Sequence, residues 1–280
     1  LPSLRIDSFS VQLAEQSQRV RKTGLTFAPE VGTDRMSRVV NKNVARDDLF
    51  QTVRAAFKAG WRRVKLYFMI GLPTETSDDI EGIIHMIKQV EAMGQRLVGR
   101  HFSLNISINA FVPKAHTPFQ WVGQEKEATL LEKFHYIGKR IRSKRISYHF
   151  SDTQLSLLEA VFARGDRRLG KVLLDAYRMG CKFDSWREFF RFDFWQKAFQ
   201  KNHLDMSFYA HREREKNEIF PWDHISCGVT KAYLWREREK AFREKTTKDC
   251  RLSSCQGCGL QGVCRTIKSY QEQSFQKNGD

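Results

Sequence analysis

Between residues 25 and 150 the apolar side chains switch repeatedly between two spacings, and this switching limits the chain to one broad class of fold. Segments 25–28, 63–70, 103–112 and 146–150 are short, with β-branched and aromatic residues, and they run into Pro29-Glu30, Gly71, Pro113 and Ser151. Between them lie runs at helical spacing: Met36, Val39 and Val40; Leu49, Phe50, Val53, Ala56 and Phe57; Ile80, Ile83, Ile84, Ile87 and Val90; and a last run over 125–143. Parallel strands need a long crossover, usually a helix, so this alternation predicts an α/β fold with parallel strands. Thr33 is placed to cap the helix after the first strand, and a further helix is expected over 10–22.

Beyond Ser151 the pattern becomes helical only, with helices predicted over 152–164, 169–179, 185–200 and 227–245. Trp186, Phe189, Phe190, Phe192, Phe194, Trp195 and Phe199 crowd into one of them and read as packing residues, with a base-stacking platform as the alternative. The chain therefore divides into 1–150, a helical accessory region over 151–248, and a cysteine-rich tail over 249–280.

No stretch reaches the roughly 18 to 20 apolar residues that cross a bilayer, which argues against a membrane span. The start Leu1-Pro2-Ser3-Leu4 lacks the features of a signal peptide and reads as a cut inside a longer protein. The formal charge is +16. It is spread along the chain, with 24 Lys and Arg against 14 Asp and Glu up to residue 150, and 24 against 18 after it. Such an excess suits RNA or another anionic macromolecule as partner. Lys139, Arg140, Arg142, Lys144 and Arg145 form the densest patch, which reads either as a phosphate-binding cluster or as cations at a helix C-terminus. The eight histidines show no paired metal spacing, and no Ser-His-Asp order or phosphate-binding glycine loop is present, so hydrolase and nucleoside-triphosphatase chemistry is disfavoured.

Four of the six cysteines lie in the last 31 residues as Cys250-x4-Cys255-x2-Cys258-x5-Cys264, with Gly257, Gly259 and Gly262 to permit tight turns. Four thiolates at this spacing suit zinc or an iron-sulfur cluster, and their crowding fits a reducing, cytoplasmic setting better than a disulfide scaffold. Cys181 and Cys227 stand apart and read as buried small apolar residues.

In parallel α/β folds, sites gather beyond the carboxyl ends of the strands. Three segments sit there: Glu30-Val31-Gly32-Thr33-Asp34-Arg35 with Asn41-Lys42, then Gly71-Leu72-Pro73-Thr74-Glu75-Thr76, then Phe111-Val112-Pro113-Lys114-Ala115-His116-Thr117-Pro118. Taken alone, they describe a polar pocket at three adjacent strand ends. In order and spacing they resemble the middle and later barrel strands of the radical S-adenosylmethionine superfamily. Within it, they are most similar to the branch with cobalamin-binding and methylthiotransferase members, whose Glu-x-Gly-Ser/Thr-x-Arg and Gly-Phe/Leu-Pro-Gly-Glu-Thr patterns recur here. Thr74 replaces the second glycine of the latter pattern. The likeness is strong over about residues 1–120.

The resemblance implies a partial TIM-type barrel of parallel strands with crossover helices, holding S-adenosylmethionine. Glu30 would lie near its ribose or amino-acid part, and the backbone at Met69 to Gly71 and Asn109 to Val112 near the adenosine, with Gly32 and Glu75 also expected among the cofactor-binding residues. It also implies a 4Fe-4S cluster and, in this branch, cobalamin. The cluster motif Cys-x3-Cys-x2-Cys and the cobalamin signature Asp-x-His-x2-Gly are both absent from these residues, and both are expected in upstream segments of the same protein. Two functions follow. One is the later portion of a radical enzyme, inert by itself and with no catalytic residue assigned. The other is a metal-stabilised nucleic-acid-binding module.

Overall fold

The computed structural model describes residues 24–42, 46–250 and 253–264. The helix expected over 10–22 lies outside them. Four strands, β1 (Leu25–Glu30), β2 (Arg63–Ile70), β3 (Ser103–Ala110) and β4 (Ile146–Phe150), form one sheet in the order β1-β2-β3-β4. Every neighbouring pair is parallel. The crossovers are α1 (Asp34–Val39) and α2 (Arg46–Lys58), then α3 (Ser77–Val98), then α4 (Glu127–Arg140). The parallel α/β arrangement is thus present in the residues where the spacing switched.

Side chains alternate across a strand, so each residue set has its own face. Val64, Leu66, Phe68 and Ile70 of β2 and Leu104, Ile106 and Ile108 of β3 are buried against Val53, Ile83, Ile87, Phe134 and Ile137 of the crossover helices. Each of these fully buried side chains contributes about 1.5–3 kcal/mol. The opposite face carries Lys65, Tyr67 and Met69, which stand in register with Asn105, Ser107 and Asn109. Farther along, Asn105 pairs with Ser147 and Ser107 with His149. Most of this face is only partly buried, and His149 is exposed. Parallel sheets normally have both faces covered by apolar layers. Here one face is sealed and apolar, and the other is polar.

Among the described residues there follow α5 (Thr153–Arg164), α6 (Leu169–Arg178), α7 (Phe192–Lys201), α8 (Met206–Ala210) and α9 (Lys231–Phe242), with one more helical turn over 261–264. The first four share a core of Leu158, Val161, Val172, Ala176, Trp195, Phe199 and Tyr209. Its hub is Arg164, 1% exposed, whose guanidinium donates to the carbonyls of Tyr209 and Ala210 at 2.5 Å and of Arg212 at 2.6 Å. Burial, with Arg214 and Arg212 nearby, pulls its pKa down to about 10.

α9 leaves this core and returns to the sheet. Ala241 packs with Met36 and Val39 of α1, Leu234 packs with Trp121, Phe220 and Trp222, and Thr247 N donates to Asn41 Oδ1 at 2.9 Å. The residues from 213 to 247 are therefore tied to the strand-end loops as well as to the helices before them.

The helix expected over 185–200 covers only Phe192–Lys201, and residues before it form turns in which Trp186 N bonds to Phe183 O and Phe189 N to Trp186 O, both at 2.9 Å. Trp195 and Phe199 are core, but Trp186 and Phe189 are 61% and 51% exposed. With no buried face for these rings, a helix there has nothing to pack against. Among the described residues, no helix is long and apolar enough to cross a membrane.

Candidate functional site

The loop after β1 is bonded inward. Glu30 ends the strand in the left-handed region (φ 71°), and its carboxylate is 3.3 Å from Lys42 Nζ, which also donates to Ala28 O. The Glu-x-Gly and Asn-Lys motifs are thereby linked by an ion pair. Gly32 abuts α3, and a Cβ there would stand 2.1 Å from Ile83 N and 2.5 Å from Gly82 C. Its missing side chain admits the α3 backbone. Thr33 caps α1 by accepting from Met36 N at 3.2 Å, and Arg35 reaches across to Thr74 O at 2.7 Å and to Asp79.

Asp79 is the joint between the first two loops. Only 3% exposed, it accepts from Arg35, from the Thr33 hydroxyl, and from Thr76 N at 2.9 Å, which completes the capping box of α3 with Thr76 as the N-cap. Burial pushes its carboxyl up, but the bonds from Arg35, Thr33 and Thr76 outweigh that and hold it below the ordinary carboxylate range. Gly71 sits at φ 78° and Thr74 at φ 64° in the second loop. The positive φ at Thr74 is a conformation that favours glycine. Glu75 folds back onto the end of β2: its carboxylate accepts from Gly71 N at 2.9 Å and pairs with Lys133 Nζ at 2.7 Å. Its side chain is 3% exposed, and burial raises its pKa against the opposing pull of Lys133 and Gly71 N.

Beyond β2, β3 and β4 the arrangement opens. A cavity of about 1010 Å3 lies at their carboxyl ends, bounded by Met69, Asn109, Val112, His149 and Ser151 and by the first turn of α5. Of the seven residues named for the cofactor, Met69, Asn109 and Val112 meet on this wall. Glu30, Gly32, Gly71 and Glu75 do not line it. Ser151 Oγ accepts from Ala110 N at 2.9 Å, which joins the ends of β3 and β4. Asp152 caps α5 through Gln154 N at 2.9 Å and Leu155 N at 3.0 Å, so the helix begins at the cavity edge. Ser151 and Asp152 obey the same strand-end rule at β4, with His149 near the end of the strand, but no motif marks them in the sequence. The lining offers hydrogen-bonding groups beside apolar surface, which suits a ligand with both polar and apolar faces.

The basic patch falls elsewhere. Arg140 stacks on Tyr136 at 3.6 Å and pairs with Glu81, and Arg142 Nε donates to Lys139 O at 2.9 Å. These cations close α4 and precede β4, at the end of the sheet opposite the cavity.

The segment 256–260 packs on the start of α9, where Thr230 N donates to Cys258 O at 2.8 Å and Arg236 to Gly257 O at 3.2 Å. Gly259, at φ 112°, lies against Gly228 and Thr230. Burial and the nearby Glu237, Cys258 and Cys250 raise the pKa of Tyr233. Among the described residues, however, no three of His, Cys, Asp and Glu converge as metal ligands. Cys181 is buried as expected, whereas Cys227 is exposed. The loop Ser226–Gly228 turns Cys227 outward, with its thiol 3.8 Å from Val229 O.

No family model matches the chain. Over 171 residues, 61% of its length, it is 32% identical to the uncharacterized protein MJ0966 of Methanocaldococcus jannaschii. The match spans 36% of that protein's length, so the chain corresponds to about a third of this curated relative.

Proposed function

We propose that the cavity at the ends of β2, β3 and β4 is the S-adenosylmethionine pocket of a radical enzyme, and that the sheet is the later part of its TIM-type barrel. One observation carries the reading: Met69, Asn109 and Val112, singled out by motif likeness, line one cavity of about 1010 Å3. In this reading Met69 and Val112 bound the adenine with apolar surface, and Asn109 and Ser151 orient its polar edge. Glu30 lies beyond the wall, where it would serve through Lys42 to fix the neighbouring loop. With a reduced cluster, the bound cofactor supplies hydrogen abstraction from an unreactive carbon. These residues contain no Cys-x3-Cys-x2-Cys, so none of them is assigned to that cluster, and none is assigned to cobalamin. Among the described residues no three of His, Cys, Asp and Glu converge, and no chemistry is assigned to the tail cysteines.

Equilibrium dialysis with labelled S-adenosylmethionine tests the pocket. The expected result is saturable binding, weakened about tenfold in Asn109→Ala, the equivalent of roughly 1.4 kcal/mol, and abolished in Val112→Trp. The circular dichroism of both variants should match that of the parent chain. Absence of saturable binding, or equal binding by all three proteins, would overturn the reading.

A further inference from the structure

The turns between α6 and α7 carry an unusual surface. Phe183, Trp186 and Phe189 are 71%, 61% and 51% exposed, and Tyr177 at the end of α6 is 59% exposed. Isolated exposed apolar residues are common, but four aromatic rings within 13 residues form a patch. Phe183 and Phe189 have centroids 6.0 Å apart, so the rings are neighbours. Phe183 also holds φ 58°, a conformation that costs a bulky residue about 1–3 kcal/mol and persists only where the surroundings fix it. The backbone is therefore strained where the most exposed of these rings stands.

The charges around the patch are cationic. Residues 177–191 contain four Lys and Arg against two Asp and Glu, and Arg191 also stands 3.5 Å from Asp193. Lys182 Nζ lies 5.2 Å from the Tyr177 ring, and the Arg191 guanidinium lies 4.4 Å from the Phe194 ring. Lys182, Arg187 and Arg191 are exposed. Meanwhile Asp184, Ser185, Arg187 and Phe190 of the same segment form the outer wall of the strand-end cavity. The segment bounds the cavity and also presents rings and cations to solvent, with Arg187 belonging to both surfaces.

We infer that residues 177–191 are a docking surface for single-stranded nucleic acid. Rings that stack on unpaired bases, interleaved with cations that neutralise phosphates, are what such a strand requires. The net charge of +16 favours this occupant over a second copy of the chain, whose facing patch would bring like charges together. Because the segment also bounds the cavity, a strand lying on it passes the cavity mouth. The inference does not depend on the cofactor, and either can fail alone.

Fluorescence anisotropy with labelled 12-nucleotide oligouridylate and oligothymidylate, and with a duplex of equal length, tests it on the full chain. Binding of the single strands, weaker binding of the duplex, and a steep loss between 50 and 200 mM salt are expected. Trp186→Ala and Phe183→Ser should each weaken single-strand binding about tenfold, and Arg187→Glu with Arg191→Glu should flatten the salt dependence. These side chains are exposed, so melting temperatures should hold. Absent single-strand binding would overturn the inference, as would binding indifferent to both sets of substitutions. Sedimentation showing that Trp186→Ala dissolves a dimer, with nucleic-acid binding unchanged, would assign the patch to self-association instead.

Discussion

The loops after β1 and β2 and the ends of β3 and β4 occupy the same end of one sheet, yet they spend their polar groups differently. In the first pair, Asp79, Arg35, Thr33, Glu75 and Lys133 bond to one another and to the backbone. In the second, Asn109, His149 and Ser151 face a cavity. The motifs most conspicuous in the sequence are thus largely architectural, fixing where strand ends stand, while the surfaces able to meet a ligand belong to plainer residues. Placement and contact are separate tasks, and this molecule assigns them to different loops.

Substitutions can break or sharpen that contrast. The largest effect is expected for Gly32→Ala, whose Cβ would meet backbone atoms of α3 at 2.1–2.6 Å. Backbone yields poorly, so a loss of about 3 kcal/mol is expected, seen in urea unfolding. Asp79→Ala comes next, at about 2 kcal/mol, because it strands Arg35 and breaks the capping box of α3. This loss should depend on pH. A carboxyl held below its unfolded value of 3.8 contributes fully above that pH and progressively less as pH falls through its lower folded value. The stability gap between Asp79→Ala and the parent should therefore be constant near neutrality and close below about pH 4. A gap independent of pH would remove the carboxylate from the explanation.

Thr74→Gly should move the other way. Its positive φ suits glycine, and relief of that strain should raise stability by about 1 kcal/mol, less what the unfolded chain gains in freedom. A loss would mean that the Thr74 hydroxyl matters more than its backbone. Smallest of all is Asn109→Ala, expected to change stability by less than about 0.5 kcal/mol despite its effect on ligand. A large loss there would place Asn109 with the architectural set and erase the contrast.

The strands were legible because β-branched and aromatic runs ending at glycine or proline have few other uses, and β2 and β4 occupy the expected residues. Helices with one apolar stripe, such as α3, were equally plain. Residues 185–191 were not, because seven rings at near-helical spacing look the same whether they pack or protrude, and only neighbours distant in sequence decide which. The roles of Gly32 and Glu75 were hidden for the same reason: Gly82 and Lys133 lie 50 and 58 residues away. The cavity was half legible, since the strand-end rule applied to β2 and β3 holds for β4 as well.

The polar face of the sheet bears on what can ever lie against it. Lys65, Tyr67, Asn105, Ser147 and His149 keep some or all of their exposure among the described residues, and whatever covers them must supply the hydrogen bonds that water would make. Each group left unmatched costs about 1–3 kcal/mol. An oily surface pressed onto five such groups loses more than it gains, whereas a layer or ligand with polar atoms at the right spacing loses little. The face acts as a sieve by hydration, admitting occupants by the pattern of their donors and acceptors before any closer fit is tested.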